Sequence, residues 1–417
     1  RSTLFPYTTL FRSGSCKLFE IQKPKMDKHS YMIRSEEDKM DVYLDNSATT
    51  MPYEEVTRKV TEMMTSFWGN PSALYAGGIK AEREIRRARQ SVADLLGASA
   101  DEIFFTSGGT ESDNTAIFGA YEALRRSGAG IITTEVEHPA VLEAIKRLAE
   151  RGADVTYLPV DGDCRISLAD LEAAVTDDTV LISIMAVNNE TGTVMPVADV
   201  AALKRNAYFH VDAVQAFGKL DISGTGADMM SVSAHKIHGP KGVGALLVKK
   251  GLRLMPFLYG GGQERGMRSG TENTSGIAGF GRACEIAGEN FDVNAAAVSR
   301  LNAMLRQGLK DSISDIRINS PEDACPSVLN VSFLGTRGEV ILHKLERDGI
   351  MVSTGSACSS GKKGGSHVLK AMGLSRSEVE SAVRFSFGTM NSEEEIEYTI
   401  DRTKAAVESF RCLGSFR

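Results

Sequence analysis

Two ionisable residues follow neighbouring apolar runs. Lys236 lies in Ser231-Val-Ser-Ala-His-Lys-Ile-His-Gly-Pro-Lys-Gly-Val-Gly244, and Asp212 ends the run Tyr208–Val211. At the ends of adjacent strands this pair suits pyridoxal 5′-phosphate, because the lysine can form a Schiff base with the aldehyde and the aspartate can keep the pyridine nitrogen protonated. Lys241 is the alternative lysine, but its Gly-Pro-Lys-Gly turn predicts a solvated side chain. The sequence therefore predicts a cofactor site around Lys236.

Several small polar residues could hold the cofactor phosphate. Ser233 and His235 can donate hydrogen bonds next to Lys236, and the glycines that follow allow close approach of the backbone. The segment containing Gly109 and Thr110 follows a predicted strand and opens a helix, where free N–H groups bind anions. Thr110 and Asp113 also have the spacing of a capping box, so an ordinary capped helix explains this segment alone equally well.

Side chains with hydrogen-bonding capacity follow other predicted strands. His138 lies at a strand-to-helix connection, where it could stack on the pyridine ring and move protons. Asn188 and Asn189 follow the most apolar strand, and an amide there could reach the phenolic oxygen of the ring. Spacing does not distinguish the two; we favour Asn189, with Gln215 as a second candidate for the same oxygen.

Three residues in the second half of the chain carry further chemistry. Arg384 interrupts an apolar strand, and a buried arginine needs an acidic partner, which a substrate carboxylate could provide. Thr271 lies in a glycine-rich loop and could reach a phosphate, although this signal alone is weak. Cys358 lies in a polar loop where Lys362 and Lys363 would favour the thiolate, so we interpret it as a reactive thiol rather than as a small buried side chain.

Composition limits the classes of function. The chain has 417 residues, 42% of them hydrophobic, with a formal net charge of −6. This balance gives no reason to expect a nucleic acid or a membrane surface as partner, and no apolar run approaches the ~20 residues of a membrane span. The six cysteines form no C-x-x-C pair, so we expect no metal site and a reducing, cytoplasmic environment.

The elements that must position these residues alternate between strand and helix from Glu102 onward. Continuous apolar strands separated by helices predict an α/β fold with a mainly parallel seven-stranded sheet covered on both faces. We assign residues 54–290 to this large cofactor-binding domain, and residues 40–53 with 291–417 to a smaller α+β domain. Residues 1–39 are interpreted as a non-native or disordered leader, in which 1–13 resembles the translation of a sequencing adapter and Met26, Met32 or Met40 is the true start.

Taken together, the motifs resemble those of the cysteine desulfurase family, in class V of the fold type I pyridoxal phosphate enzymes, over about Met40 to the C-terminus. The matching segments are Tyr43-Leu-Asp-Asn-Ser-Ala-Thr-Thr50, Gly69-Asn-Pro-Ser72, Thr106-Ser-Gly-Gly-Thr-Glu-Ser-Asp-Asn114, Glu137-His138, Asn188-Asn-Glu190, His210-Val-Asp212, Ser233-Ala-His-Lys236, Arg268-Ser-Gly-Thr271, Gly355-Ser-Ala-Cys358 and Arg384-Phe-Ser386.

This resemblance implies a role for each principal residue. Lys236 would be the Schiff-base lysine, and Asp212 would pair with the pyridinium. His138 would stack on the ring and act as acid and base, and Arg384 would bind the substrate carboxylate. Cys358 would take sulfur from L-cysteine as a persulfide and release alanine.

The resemblance also implies partners. The cysteine loop is similar to the longer version of iron–sulfur-assembly desulfurases, which pass sulfur to a scaffold or carrier protein. A homodimer is expected, in which Thr271 completes the phosphate site of the other subunit. Two alternatives stay open: an aminotransferase or lyase on the same fold in which Cys358 is incidental, and a non-catalytic relative that binds a scaffold.

Overall fold

The computed structural model describes residues 39–354, 365–412 and 414, and the described residues from Met40 onward belong to one compact unit. The strands are β1 (Val42–Tyr43), β2 (Ile103–Thr106), β3 (Gly130–Thr134), β4 (Asp154–Leu158), β5 (Thr179–Met185), β6 (Tyr208–Asp212), β7 (Met229–Ser233), β8 (Gly244–Val248), β9 (Ile316–Ile318), β10 (Val328–Phe333), β11 (Ile350–Met351) and β12 (Ala382–Ser386). Strands β2 to β8 form a seven-stranded sheet in the order β2-β8-β7-β6-β5-β3-β4.

The seven-stranded sheet confirms the predicted α/β architecture. β7, β6, β5, β3 and β4 are parallel to one another, and β8 runs antiparallel to both of its neighbours, β7 and β2. Every residue of β5 is buried, as expected for a central strand of a sheet covered on both faces.

The described residues also form twelve α-helices. They are α1 (Glu54–Ser66), α2 (Ala76–Leu96), α3 (Gly109–Leu124), α4 (Pro139–Ala149), α5 (Leu168–Ala174), α6 (Val197–Leu203), α7 (Thr274–Glu289), α8 (Phe291–Ser312), α9 (Gly338–Arg347), α10 (His367–Ala371), α11 (Arg376–Glu380) and α12 (Glu393–Cys412). On β3, Ile131 packs in one hydrophobic cluster with α3 and α4, whereas Ile132 packs in another with α2 and α7. Successive strand residues therefore face opposite helical layers. None of the helices in the described residues is long and apolar enough to span a membrane.

A separate hydrophobic cluster lies under the remaining strands. β9, β10 and β12 form an antiparallel sheet, and β1 pairs in parallel with β11. Val42 and Leu44 pack in this cluster with side chains from α8, β10 and α12. The exact domain boundaries stay a prediction, because residues from Met40 onward cluster as one unit.

Candidate active site

A cavity of about 330 Å³ opens at the carboxyl ends of β5, β6 and β7, where ligands bind in open α/β sheets. This volume is at the lower end of the range for small-molecule sites. Ten of the residues predicted from the sequence line it: Gly109, Thr110, His138, Asn189, Asp212, Gln215, Ser233, His235, Lys236 and Arg384. The fold thus brings together residues that are up to 275 positions apart, counted from Gly109 to Arg384.

Lys236 ends a single turn of 3₁₀ helix that follows β7. Its Nζ donates to the carbonyl oxygens of Ser47 and, at 2.8 Å, of Ala48. Burial lowers the pKa of Lys236 to about 7, and the positive charges of Lys219 and Arg384 act in the same direction. A large fraction of this amine is therefore unprotonated near neutral pH, as attack on an aldehyde requires.

Asp212 is the last residue of β6 and is buried in the cavity wall. Its Oδ1 accepts a hydrogen bond from the Val214 N–H at 3.0 Å. Burial raises the pKa of this carboxyl, while His138 and Lys236 oppose the shift. A cationic partner stabilises the ionised form of a buried carboxyl, and a protonated pyridine nitrogen would be such a partner.

His138 is the N-cap residue of α4, directly before Pro139. Its Nδ1 accepts a hydrogen bond from the Ala140 N–H at 3.1 Å. Burial lowers the pKa of His138, which favours the neutral imidazole. Because Nδ1 is the acceptor, the proton of the neutral ring lies on Nε2, and His138 meets the cavity as a hydrogen-bond donor.

The start of α3 and the end of β7 form a cradle for an anion. A Cβ atom on Gly109 would lie 2.7 Å from Val214 Cγ2 and 3.9 Å from Ser233 Cβ, so only glycine fits there without displacement. Ser233 is buried, and its Oγ has no hydrogen-bond partner among the described residues. A buried hydroxyl without a partner beside a helix N-terminus fits the phosphate of pyridoxal phosphate.

His235 and Thr110 complete this side of the cavity. His235 Nδ1 is 3.2 Å from Thr49 Oγ1, and burial lowers the pKa of His235 to about 4. The imidazole is therefore neutral at physiological pH. Thr110 lies at the exposed mouth of the cavity, in the first turn of α3. Both residues are placed where the sequence predicted, and their roles toward the phosphate stay predictions.

The predicted capping box of Thr110 and Asp113 is wrong. The N-cap of α3 is Gly108, and Asp113 is buried, with its Oδ1 3.6 Å from His210 Nε2. Asp113 shares the spacing of Ala116 and Ile117, which lie on the buried face of α3. This helical spacing predicts a buried Asp113, whereas the short-range capping pattern predicts a side chain at the helix terminus.

Two buried carboxyl groups accompany Asp212. Burial, and then the charge of Asp212, raise the pKa of Asp113 well above its ordinary value. Glu137 accepts hydrogen bonds through Oε1 from Thr134 Oγ1 at 2.8 Å and Met185 N–H at 3.0 Å. Burial raises the pKa of Glu137 to about 8. Burial therefore favours the neutral acid at both carboxyl groups.

Arg384 is buried on β12 and already has an acidic partner. Its Nη2 donates to Asp45 Oδ1 at 2.7 Å, and its Nη1 donates to the Asn189 carbonyl oxygen at 2.9 Å. The sequence predicted that a substrate carboxylate would be the acidic partner of Arg384. In the structure, Asp45 is this partner. The Nε–H is buried and has no hydrogen-bond partner among the described residues.

The structure distinguishes the two asparagines after β5. Asn188 is fully buried: its Nδ2 donates to the Val136 carbonyl, and its Oδ1 accepts from the Glu190 N–H. Asn189 lines the cavity, as does Gln215, whose Nε2 donates to the Ser47 carbonyl at 3.0 Å. Both amides favoured from the sequence thus reach the cavity, and either could contact the ring oxygen.

Two predicted residues are not placed in the cavity. Thr271 is exposed and does not line the cavity in this chain, which leaves its expected role in a second subunit untested. Cys358 lies outside the residues that the structure describes. Conversely, the sequence analysis missed His367, the first residue of α10, which lines the cavity and whose Nε2 is 3.0 Å from the Glu137 carbonyl oxygen.

Comparison with known proteins places this geometry in a family. The family profile described as Aminotransferase class-V matches residues 42–399. The cysteine desulfurase IscS of Clostridium botulinum is 44% identical over 367 residues, which cover 86% of this chain and 92% of that protein. A cysteine desulfurase of Trichormus azollae is 44% identical over 381 residues, covering 90% and 95% of the two chains. The chain therefore belongs to the class-V aminotransferase family and, within it, to the cysteine desulfurases.

The fold is also shared with a solved structure. A NifS-like protein superposes with a TM-score of 0.84 at 40% sequence identity, covering 89% of this chain and all of the other. The match confirms the predicted fold class. Together, the fold and the family define the chain as an enzyme from a pyridoxal phosphate-dependent family.

Proposed function

We propose that this chain converts L-cysteine to L-alanine and transfers the sulfur to Cys358 as a persulfide, with pyridoxal 5′-phosphate held by Lys236. The observation that carries the proposal is the meeting of four side chains of complementary chemistry around one cavity: Lys236, Asp212, His138 and Arg384. The chain is 44% identical to proteins named cysteine desulfurase, and this identity supports desulfuration over the other reactions of the same fold.

The residues present fit the cofactor. When bound, pyridoxal phosphate supplies an aldehyde for the substrate amino group and a ring that withdraws electrons from the substrate Cα. Lys236 would hold the aldehyde, and Asp212 would pair with the ring nitrogen. The cradle of Gly109 and Ser233 would hold the phosphate. The unpartnered Ser233 Oγ is the polar atom that such a group would satisfy.

Arg384 and Lys236 act on the substrate. The Nε–H of Arg384 would bind the carboxylate of L-cysteine, while Asp45 keeps the guanidinium oriented. Lys236, released as a free amine, would accept the Cα proton because its lowered pKa makes it a base near neutral pH. The Nε2–H of the neutral His138 would donate a hydrogen bond into the cavity.

Cys358 would complete the sulfur transfer. Its thiolate attacks the sulfur of the substrate, a new S–S bond forms, and the substrate Cβ–S bond breaks. The electron pair of that bond stays with the carbon fragment, which takes up protons and leaves as alanine. The thiolate is the required nucleophile, and the neighbouring lysines favour it.

The persulfide implies an acceptor. We propose an iron–sulfur scaffold or a sulfur-carrier protein in the cytoplasm, and a homodimer in which Thr271 reaches the phosphate of the partner subunit. Support for a reducing compartment comes from Cys164 and Cys284, which are buried as free thiols.

Turnover of L-cysteine tests the reaction. Purified protein loaded with pyridoxal phosphate should form alanine and sulfide from L-cysteine in the presence of a thiol reductant. Borohydride reduction should fix the cofactor to the peptide containing Lys236, with Lys241 as the internal comparison. Label on Lys241 would contradict the assignment of the cofactor lysine.

The Cys358→Ser variant separates the desulfurase from its alternatives. It should retain the visible spectrum of the bound cofactor and the spectral change on adding L-cysteine, yet make almost no alanine or persulfide. Release of sulfide by this variant at the parental rate would instead identify a lyase that eliminates sulfide without a protein nucleophile.

A further inference from the structure

A second cavity lies beside the cofactor cavity, and Lys236 lines both of them. Its lining includes residues 218–219 and 236–238, together with residues of α8, Cys325 and the segment after β12. Its volume is about 60 Å³. Since one water needs roughly 10–15 Å³ by this measure, the cavity accommodates a molecule of about four to six non-hydrogen atoms. It is separate from the cradle and the arginine described above.

The walls of this second cavity are largely apolar, and two lysines line it: Lys236, which would hold the cofactor, and Lys219. Phe291, Val298 and Phe387 supply much of the apolar lining. Lys219 is partly buried, and its Nζ donates to Gln215 Oε1 at 3.2 Å. Among residues 39–354 and 365–412, no carboxylate lies within ion-pair distance of this amine. Burial lowers the pKa of Lys219, so the charged form lacks full compensation inside the protein.

The neighbouring hydroxyl groups are already engaged. Thr389 Oγ1 is 2.7 Å from Tyr53 Oη and 3.3 Å from His238 Nε2, and Ser327 Oγ is 3.2 Å from Cys325 Sγ. The Lys219 ammonium has spare donors at this cavity, because among the described residues its three N–H groups make one hydrogen bond.

We propose that the second cavity binds a short-chain monocarboxylate. Its carboxylate lies on the Lys219 ammonium, and its alkyl group packs against Phe291, Val298 and Phe387. An anion with an alkyl group matches this site, because a lysine without an ion-pair partner among the described residues lines a largely apolar cavity. The proposed site is defined by the lining of the second cavity and by the hydrogen bond of Lys219 among the described residues, so it does not rest on the sulfur-transfer reaction.

A hydrogen-bonded chain connects the site to the cofactor lysine. Lys219 donates to Gln215 Oε1, Gln215 Nε2 donates to the Ser47 carbonyl, and the same carbonyl accepts from Lys236 Nζ. After burial, the charge of Lys219 is the next cause that lowers the pKa of Lys236. A carboxylate on Lys219 would offset this charge and favour the protonated form of the nitrogen on Lys236. Binding of a carboxylate in the second cavity should therefore change the pH dependence of the cofactor absorption.

Calorimetric titration of the cofactor-loaded protein with propionate tests the site. Propionamide has nearly the same shape without the charge and is the matched ligand control. We expect a propionate dissociation constant on the order of 1 mM, which about five non-hydrogen atoms can provide, and no measurable binding of propionamide. Lys219→Met should weaken propionate binding at least tenfold, whereas Lys249→Met, at an exposed position, should not change it.

Spectroscopy gives a second readout. In the parent protein, saturating propionate should shift the pH midpoint of the visible cofactor absorption upward; in Lys219→Met the shift should disappear. If Lys219→Met fails to fold, the same measurements are made on Lys219→Gln, which keeps a polar side chain but removes the charge. The proposal is overturned if propionate fails to bind, if propionamide binds equally, or if the Lys219 variant binds propionate like the parent. That last result would place the anion on Arg384 instead.

Discussion

Gly109→Ala tests the anion cradle directly. The new Cβ would lie 2.7 Å from Val214 Cγ2, well inside van der Waals contact. Valine is stiff at χ1, and the Val214 N–H supports Asp212, so neither side of the contact moves without cost. Overpacking of this kind costs about 1–3 kcal/mol. Because binding the phosphate would require the displaced cradle to return to its parental shape, at most this cost is lost from the cofactor affinity, a weakening of up to about 150-fold.

The assay is equilibrium binding of pyridoxal phosphate to the cofactor-stripped protein, followed by absorbance. The same titration with pyridoxal, which lacks the phosphate, locates the effect: the loss should be larger for the phosphorylated ligand. Gly77→Ala in α2 is the control, since its Cβ would make only ordinary contacts with Tyr75 at 3.5 Å. Parental affinity of Gly109→Ala, or equal losses for both ligands, would refute the assignment of this cradle to the phosphate.

Three further outcomes follow from the buried charges. The rate at which cofactor-free protein attaches pyridoxal phosphate should rise with pH and level off above about 7, the pKa of Lys236; a rise continuing to pH 10 would indicate an unperturbed amine. The raised pKa of Glu137 means that the folded state binds its proton more tightly, so this group should reduce stability progressively between about pH 4.5 and about 8. Urea unfolding at both ends of that window should therefore show a smaller loss for Glu137→Gln than for the parent. Asp45→Asn should raise the KM for L-cysteine more than it lowers kcat, because Arg384 loses the partner that orients it; an unchanged KM would show that Asp45 does not position Arg384.

The sequence predicted the sheet and much of the cavity for a common reason. Continuous apolar strands mark a parallel sheet, and polar residues directly after them must meet at its carboxyl edge. Asp212, Ser233 and Lys236 satisfy this rule, and all three line the cavity. His138 satisfies it as well, because it follows β3 and caps the next helix.

The residues that were missed depend on contacts between distant segments. Asp45 reads as part of a polar turn, and its pairing with Arg384 joins positions 339 apart in the chain. The Ser47 carbonyl, which accepts from Lys236, has no side-chain signature at all. Asp113 carries a local capping signal, but packing against His210 overrides it. Such tertiary contacts cannot be read from local spacing.

The antiparallel strand β8 has a consequence for how the enzyme acquires its cofactor. Among the described residues, β2 lies at the edge of the sheet and pairs with β8, from Ile103↔Leu247 to Thr106↔Gly244. During synthesis on the ribosome, β2 has no strand to pair with until Val248 has emerged. Closing so long a loop is slow, and folding rates fall as contacts become less local. The turn that carries Gly109 follows β2 directly, so the nascent chain should become able to capture the phosphate only late in translation, after most of the parallel strands have already assembled.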